Sequence, residues 1–371
     1  MNTRALQADA HVPERNPVRR RFNIAVFSYG LPCAGQKRGG IEQVAHDLAN
    51  ALVDRGHGVT VFTYDPRPSD ARYQTGPLPG RAFVMTWLGR RVAMGYLGNV
   101  LALGPRYGGF DVILAHGDSL LLPLSGKPVV RVMHGSALEE AISSASPGRA
   151  MLQAGVYLQE LATAMLQRGT VAVSANSRRF NPFIHRVIPD GIDLRVFHPD
   201  PRVRSQCPSL LFVGALKGRK RGSWLLERFE QVIRPAFPDA ELHMVTTPGR
   251  PVAGVTYHTG IAAEALVRLY QYAWVYASPS SYEGFGLPYV EALACGTPVV
   301  ATSNPGSREV LDDGRFGLLV SDEEFVPEVC RLLADAGARR RVAREGLVRA
   351  SQYDITRAAA LYEGVIEELV A

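Results

Sequence analysis

The chain has 371 residues, a length for two domains of ordinary size with ample room for real cores. Hydrophobic residues make up 46% and charged residues 20%, the composition of a globular protein. The formal net charge of +6 suits anionic ligands such as nucleotides or a lipid headgroup surface, and is too small to imply nucleic-acid binding. Cys33, Cys207, Cys295 and Cys330 are scattered without metal-ligand spacing, which fits a reducing compartment with each thiol as a small buried residue. No apolar run approaches the roughly 18–20 residues of a membrane span, and the first residues lack a signal-type apolar core, so the expected location is the cytoplasm.

Residues 1–21 are polar, rich in Arg and Pro and without pattern, and read as a flexible leader. Residues 22–27 (FNIAVF) form a strand and 41–55 a helix, with Ile41, Val44, Ala45, Leu48, Ala49 and Leu52 at helical spacing and Gly56 closing it. A second strand at 59–63 completes a βαβ unit, which places the loop 30–40 at the carboxyl end of its first strand. Gly39 and Gly40 there permit close approach of a phosphate to the backbone, or simply a tight turn. The segment 86–103 is apolar and aromatic with Arg90 and Arg91, the make-up of a peripheral membrane contact; its three glycines favour an ordinary helix packed on the sheet.

Residues 112–115 and 129–133 read as buried strands, each running into His-Gly, at His116 and His134. Catalytic groups of α/β proteins gather at such strand ends, although a lone histidine is more often a structural hydrogen-bonder. Residues 135–168 read as helical, and 170–175 as a strand. The Pro-, Gly- and Asp-rich stretch 187–199 is a turn-rich boundary, so a domain border falls near 200–208.

The second half opens with a strand at 210–213 that feeds the loop 214–222 (GALKGRKRG) and a helix from Ser223. A glycine-rich basic loop between strand and helix is either an anion cradle or a solvated basic turn. Strands at 241–245 and 255–257 and a helix at 261–270 follow. Residues 274–277 (WVYA) form a buried strand, 278–286 a polar glycine-rich turn, and then a helix with Pro288 as its first residue and Gly296 just past its end. Gly284 and Gly286 lack a Cβ, so a ligand can approach the amides of Gly284, Phe285, Gly286 and Leu287. Glu283 sits on the turn and Glu291 in the first turns of the helix. Carboxylates there can accept from sugar hydroxyls while the amides and helix dipole take an anionic end; the plainer alternative is a dipole cap and a solvated turn residue. A strand at 299–302, a loop at 303–309 with Glu309 as a helix-start or structural carboxylate, a strand at 317–320 and an amphipathic helix at 352–370 complete the chain.

The stretch EGFGLPYVEALACGTPVVAT resembles the Glu-x7-Glu signature of family-4 glycosyltransferases, with glycines, proline and following strand all in register. The resemblance extends over nearly the whole chain after the leader. It implies the GT-B fold: an α/β architecture of two Rossmann-like domains facing across a cleft, with the last helix crossing back to the first domain. The first domain would comprise 22–200 plus 352–371, and the second, which holds the donor, 208–350. It implies a retaining transferase in which the donor is a nucleotide-sugar and the acceptor a glycan, lipid-linked or small-molecule hydroxyl, used in cell-envelope polysaccharide or glycoconjugate synthesis. Glu283 would contact the transferred sugar and Glu291 the ribose. His134 would sit in the cleft beside donor sugar and acceptor, with His116 the weaker candidate. Gly39 and Gly40 would face the diphosphate, contacted by Arg219 and Lys220 with Arg221 close behind. Family members carry a basic residue where this chain has Ala215, and Asn where it has Asp190. A strong protein nucleophile is not required, basic groups would stabilise the leaving diphosphate, and no metal or other cofactor is expected. The rivals are a catalytically degenerate binding or scaffold subunit and another GT-B enzyme such as a nucleotide-sugar epimerase.

Overall fold

The computed structural model describes residues 20–32, 40–80, 100, 102–117, 119–142 and 147–371. Among the described residues, thirteen strands lie in two sheets whose pairings are all parallel. The first sheet contains β1 (Asn23–Phe27), β2 (Gly58–Thr63), β3 (Gln74–Pro77), β4 (Val112–His116), β5 (Val129–Met133), β6 (Gly169–Ala172) and β7 (Arg186–Val187), in the order β3-β2-β1-β4-β5-β6-β7. The second contains β8 (Ser209–Val213), β9 (Glu241–Val245), β10 (Val255–His258), β11 (Val275–Ser278), β12 (Val299–Thr302) and β13 (Leu318–Val320), in the order β10-β9-β8-β11-β12-β13.

The apolar runs predict the central strands because a parallel sheet covered by helices on both faces buries every side chain. β4, β5, β11 and β12 are buried along their whole length. In each sheet the strand order reverses beside the first strand, between β1 and β4 and between β8 and β11. Such a switch point opens a crevice at the carboxyl ends of the strands.

The helices of the first half are α1 (Gly40–Asp54), α2 (Ala137–Ile142), α3 (Pro147–Leu166) and α4 (Ala175–Arg179). Those of the second are α5 (Gly222–Arg228), α6 (Ala263–Tyr272), α7 (Leu287–Ala294), α8 (Pro305–Val310), α9 (Asp322–Ala334) and α10 (Ala336–Ala350). Helix α5 runs on through a π turn at Phe229–Ile233. The expected strand 170–175 stops at Ala172, because Ser174 caps α4 by accepting from the Ser177 amide and turns the chain into a helix. β3 and β7 lack a readable apolar run and were not expected.

Helix α11 (Ile355–Val370) returns to the first sheet, packing against α1, β5 and β6. Its Ile355, Ala358, Tyr362 and Ile366 join Ile24, Val26, Leu48 and Leu52 in one apolar core that also takes in Leu211, Tyr270 and Phe285 of the second half. Glu363 fixes the register of docking: it accepts from Arg55 Nε at 2.8 Å and lies 3.3 Å from His57 Nε2. The GT-B arrangement expected from the sequence is what the chain adopts.

The expectation for the thiols needs amendment. Cys295 is buried, but Cys207 and Cys330 are half-exposed, so the thiols are not uniformly core residues; Cys33 lies outside the described residues. Most of the loop 30–40, Gly39 included, and most of the segment 86–103 also lie outside them. Among the described residues no helix is long and apolar enough to cross a membrane.

Candidate functional site

The site is built on the two switch-point loops of the second sheet. After β8 the chain makes a 3-10 turn at Gly218–Lys220, entered through Gly218 at φ 73°. After β11 it makes the polar turn that carries Tyr282 and Glu283. The two loops are knitted together: the Ser281 amide donates to Arg219 O at 2.8 Å, and Arg219 Nη1 donates to Tyr282 O at 2.8 Å. Both cations then converge on one carboxylate. Arg219 Nη1 lies 2.9 Å from Glu283 Oε2, and Lys220 Nζ 2.5 Å from Glu283 Oε1. Glu283 is 5% exposed and the Lys220 side chain is mostly covered, so water screens that pair weakly, whereas the half-exposed Arg219 is screened more strongly.

Lys220 reaches that point because its stem packs on Gly214, where an added Cβ would stand about 3.0 Å from Cγ and Cδ. Arg221, adjacent in sequence, does not join this cluster. Its backbone turns into the left-handed region at φ 54°, and its guanidinium makes a paired contact with Asp322 at 2.7 and 2.6 Å while covering the Trp224 ring. The sequence grouped Arg219, Lys220 and Arg221; the structure separates the third.

Helix α7 begins at Leu287 with Pro288 second, one residue earlier than expected. Gly286 precedes it at φ 94°, where any Cβ would also fall 2.4 Å from the Tyr289 ring, so glycine is required twice over. Gly284 has a different reason. A Cβ there would meet His134 O at 3.1 Å, so what comes close at this position is the main chain of the first domain. Gly40 faces the same place from the start of α1; a Cβ on it would be 3.6 Å from Leu287 Cδ1. The Phe285 side chain belongs to the core, edge-on to Tyr353, so only its backbone could serve a ligand.

Glu291 lies in the second turn of α7, 8% exposed, and its Oε2 accepts from the Tyr270 hydroxyl at 2.7 Å. Burial and the Glu291 charge push the Tyr270 hydroxyl well above its ordinary range, so it stays a donor.

On the first domain, His116 and His134 stand at the ends of adjacent strands. Their rings are nearly parallel with centroids 5.2 Å apart, and His116 Nδ1 lies 2.9 Å from His134 Nε2. His134 Nδ1 lies 3.6 Å from Asp190 Oδ2. His116 is thus part of the same group as His134.

Several participants were not identified from the sequence. Glu139 on α2 accepts from Tyr282 OH at 3.2 Å and from Asn176 Nδ2 at 2.7 Å, bridging the two domains beside the site. Glu309, expected from the sequence as a helix-start or structural carboxylate, reaches across in the other direction. Both of its oxygens accept from the Ala175 amide at 3.0 Å, so it caps α4 of the first domain. That makes it structural, with burial pushing its carboxyl up. Gly306 lets α8 pass under the acidic turn, its amide donating to Glu283 O at 3.0 Å. The only sequence signals were an acidic pair four and five residues past Gly135 and the Pro-Gly opening of α8. Among the described residues no group of three or more His, Cys, Asp or Glu side chains could hold a metal ion.

Two facing Rossmann-like domains, with a basic-acidic cluster at the second switch point and a histidine pair opposite, define a GT-B glycosyltransferase. Residues 38–196 match the family described as Glycosyltransferase Family 4, and residues 207–335 that described as Glycosyl transferases group 1. The chain belongs to these glycosyltransferases. It is 27% identical over 381 residues to a D-inositol 3-phosphate glycosyltransferase of Paenarthrobacter aurescens, covering 89% of this chain and 93% of that protein. It is 32% identical to one from Arthrobacter sp., where the match spans 50% of this chain and about half (51%) of the relative. Among solved structures, sucrose-phosphate synthase from Thermosynechococcus elongatus superposes with a TM-score of 0.76 at 25% identity, over 94% and 98% of the two chains. Anabaena HepE in complex with UDP-glucose superposes at 0.69 with 18% identity, over 94% and 100%, and shares the fold.

Proposed function

We propose that this glycosyltransferase is a retaining enzyme that moves a hexose from a nucleotide-sugar to a hydroxyl of a glycan, lipid-linked or small-molecule acceptor. The observation that carries the reading is the convergence of Arg219 and Lys220 on buried Glu283 at a topological switch point. Cations held there suit a diphosphate, and a carboxylate between them suits a sugar hydroxyl at the far end of the same ligand. HepE, whose solved complex holds UDP-glucose, and relatives named for phosphorylated inositol acceptors support the same chemistry.

In this reading Glu291, oriented by Tyr270, takes the ribose, and the amides from Gly284 to Leu287 with Gly40 opposite line the diphosphate. The anomeric carbon gains a bond to the acceptor oxygen on the face from which the phosphate leaves, and the departing phosphate oxygen takes the acceptor proton. Arg219 and Lys220 stabilise the charge that develops on the leaving diphosphate, a task that elsewhere falls to a metal ion. The role in cell-envelope polysaccharide or glycoconjugate synthesis belongs to this proposal.

The test is a thermal-shift screen of the purified protein against UDP-, GDP-, ADP- and dTDP-sugars without divalent metal. A ligand that binds only the folded state raises its apparent stability by mass action. A selective shift with one nucleotide is expected. No shift with any of them, with or without magnesium, would refute a nucleotide-sugar donor.

A further inference from the structure

The histidine pair leaves its protons little choice. His116 is 2% exposed, and burial together with its neighbour His134 holds its pKa well below the ordinary imidazole value, so it is neutral and carries one N–H. The 2.9 Å contact between His116 Nδ1 and His134 Nε2 needs one proton between the two nitrogens. Two arrangements satisfy it. In the first, His116 donates from Nδ1 and its buried Nε2 is a bare lone pair. In the second, His134 donates from Nε2, and His116 must carry its proton on Nε2.

That atom has no hydrogen-bond partner among the described residues. A buried N–H with no acceptor is rarer in folded proteins than an under-used acceptor. The second arrangement would also point the bare Nδ1 of His134 at the Asp190 carboxylate, lone pair toward negative charge. The separation of 3.6 Å is too long for a hydrogen bond but short enough for the field of a 6% exposed carboxylate to favour a proton on the nearer nitrogen. Asp190 is itself held against the crossover helix, where its charge bears on Tyr362 and where a Cβ at the next residue, Gly191, would stand 2.7 Å from Ile355 Cα.

We propose that Asp190 is a positioning residue for transfer: with His116 it holds the His134 ring with its proton on Nδ1 and Nε2 accepting from His116. His134 then does not serve as the base for the acceptor hydroxyl. Its held ring fixes the main-chain carbonyl that meets Gly284 of the opposing loop. The inference rests on the transferase reading of this cleft, and deepens it by assigning roles to two residues outside the acidic signature.

Long-range ¹H–¹⁵N spectra of histidine-labelled protein report the tautomer of each ring directly. Wild type should show His134 protonated at Nδ1 alone. Asp190→Asn, with the residue that the resembled family carries there, should shift His134 toward a mixture of tautomers. It should also slow UDP release from UDP-glucose by about tenfold while UDP affinity stays within about twofold. An Nε2–H tautomer in wild type overturns the proposal, as does an Asp190→Asn protein with tautomer or turnover unchanged. Should the variant fail to fold, the wild-type tautomer of His134 decides the proposal: Nδ1–H upholds it and Nε2–H overturns it. If wild type turns over none of the screened nucleotide-sugars, the donor reading is at fault, and the wild-type tautomer decides the positioning claim alone.

Discussion

The two sheets share one strand order and one switch-point geometry, yet they equip their crevices in opposite ways. At the second, charge is concentrated: Arg219 and Lys220 meet Glu283 within 3 Å. At the first, the corresponding strand ends carry a neutral imidazole beside a second imidazole, with one carboxylate set 3.6 Å back. A fold that repeats a crevice thus does not repeat its chemistry. The difference matches a division of labour in which one side neutralises an anionic leaving group and the other holds a polar but uncharged partner in place.

The sharpest way to break that contrast is to discharge the second crevice. Lys220→Met should weaken UDP binding by about 1.5–3 kcal/mol by calorimetry, the worth of a hydrogen bond to a charged group. Unchanged affinity would remove Lys220 from the diphosphate site.

On the first side the support beneath α2 should respond to pH rather than to nucleotide. Glu160 accepts from the Ala137 amide at 3.1 Å, and burial pushes its carboxyl up to about 7 despite the nearby Arg131. Its folded pKa therefore exceeds its unfolded value of 4.5, so the protonated form favours the folded state. The associated stability is present below pH 4.5 and is lost as pH rises through about 7, on the order of 3 kcal/mol. Glu160→Gln should flatten the dependence of melting temperature on pH across that window, whatever it does to the absolute value. An unaltered slope would show that Glu160 is not the titrating group.

A smaller effect is expected where the two halves meet. Glu309→Ala uncaps α4 and should cost about 0.5–2 kcal/mol of stability by denaturant titration. Nucleotide affinity should stay near that of wild type, which separates Glu309 from Glu283 and Glu291. The smallest concerns Arg221. Paired with partly exposed Asp322, it should contribute under about 1 kcal/mol to stability, and Arg221→Ala should leave UDP affinity unchanged. A loss of UDP binding would return Arg221 to the diphosphate loop.

How far the sequence could be read depended on the range of the interactions. The strands other than β3 and β7, together with α1, α7 and the Glu283–Glu291 spacing, were legible because apolar periodicity and turn chemistry are local. Long-range partnerships were not. Arg219 meets Glu283 across 64 positions, Tyr282 meets Glu139 across 143, and Ala175 meets Glu309 across 134, and no local pattern encodes such pairs. Arg219 and Arg221 look alike in the sequence; a left-handed turn at the second aims them apart. Gly284 was read as room for a ligand, and its nearest neighbour proves to be the carbonyl of His134.

The crossover helix has a consequence for how the protein is made. Residues 355–370 complete the covering of a sheet whose first strand begins at residue 23, so on the ribosome the amino-terminal half waits while the whole second half is synthesised. Until then the apolar surface around Leu48, Leu52 and β5 stays uncovered, an adhesive patch on a nascent chain. The half made first is the half finished last, and its folding during translation should be the step most dependent on chaperones.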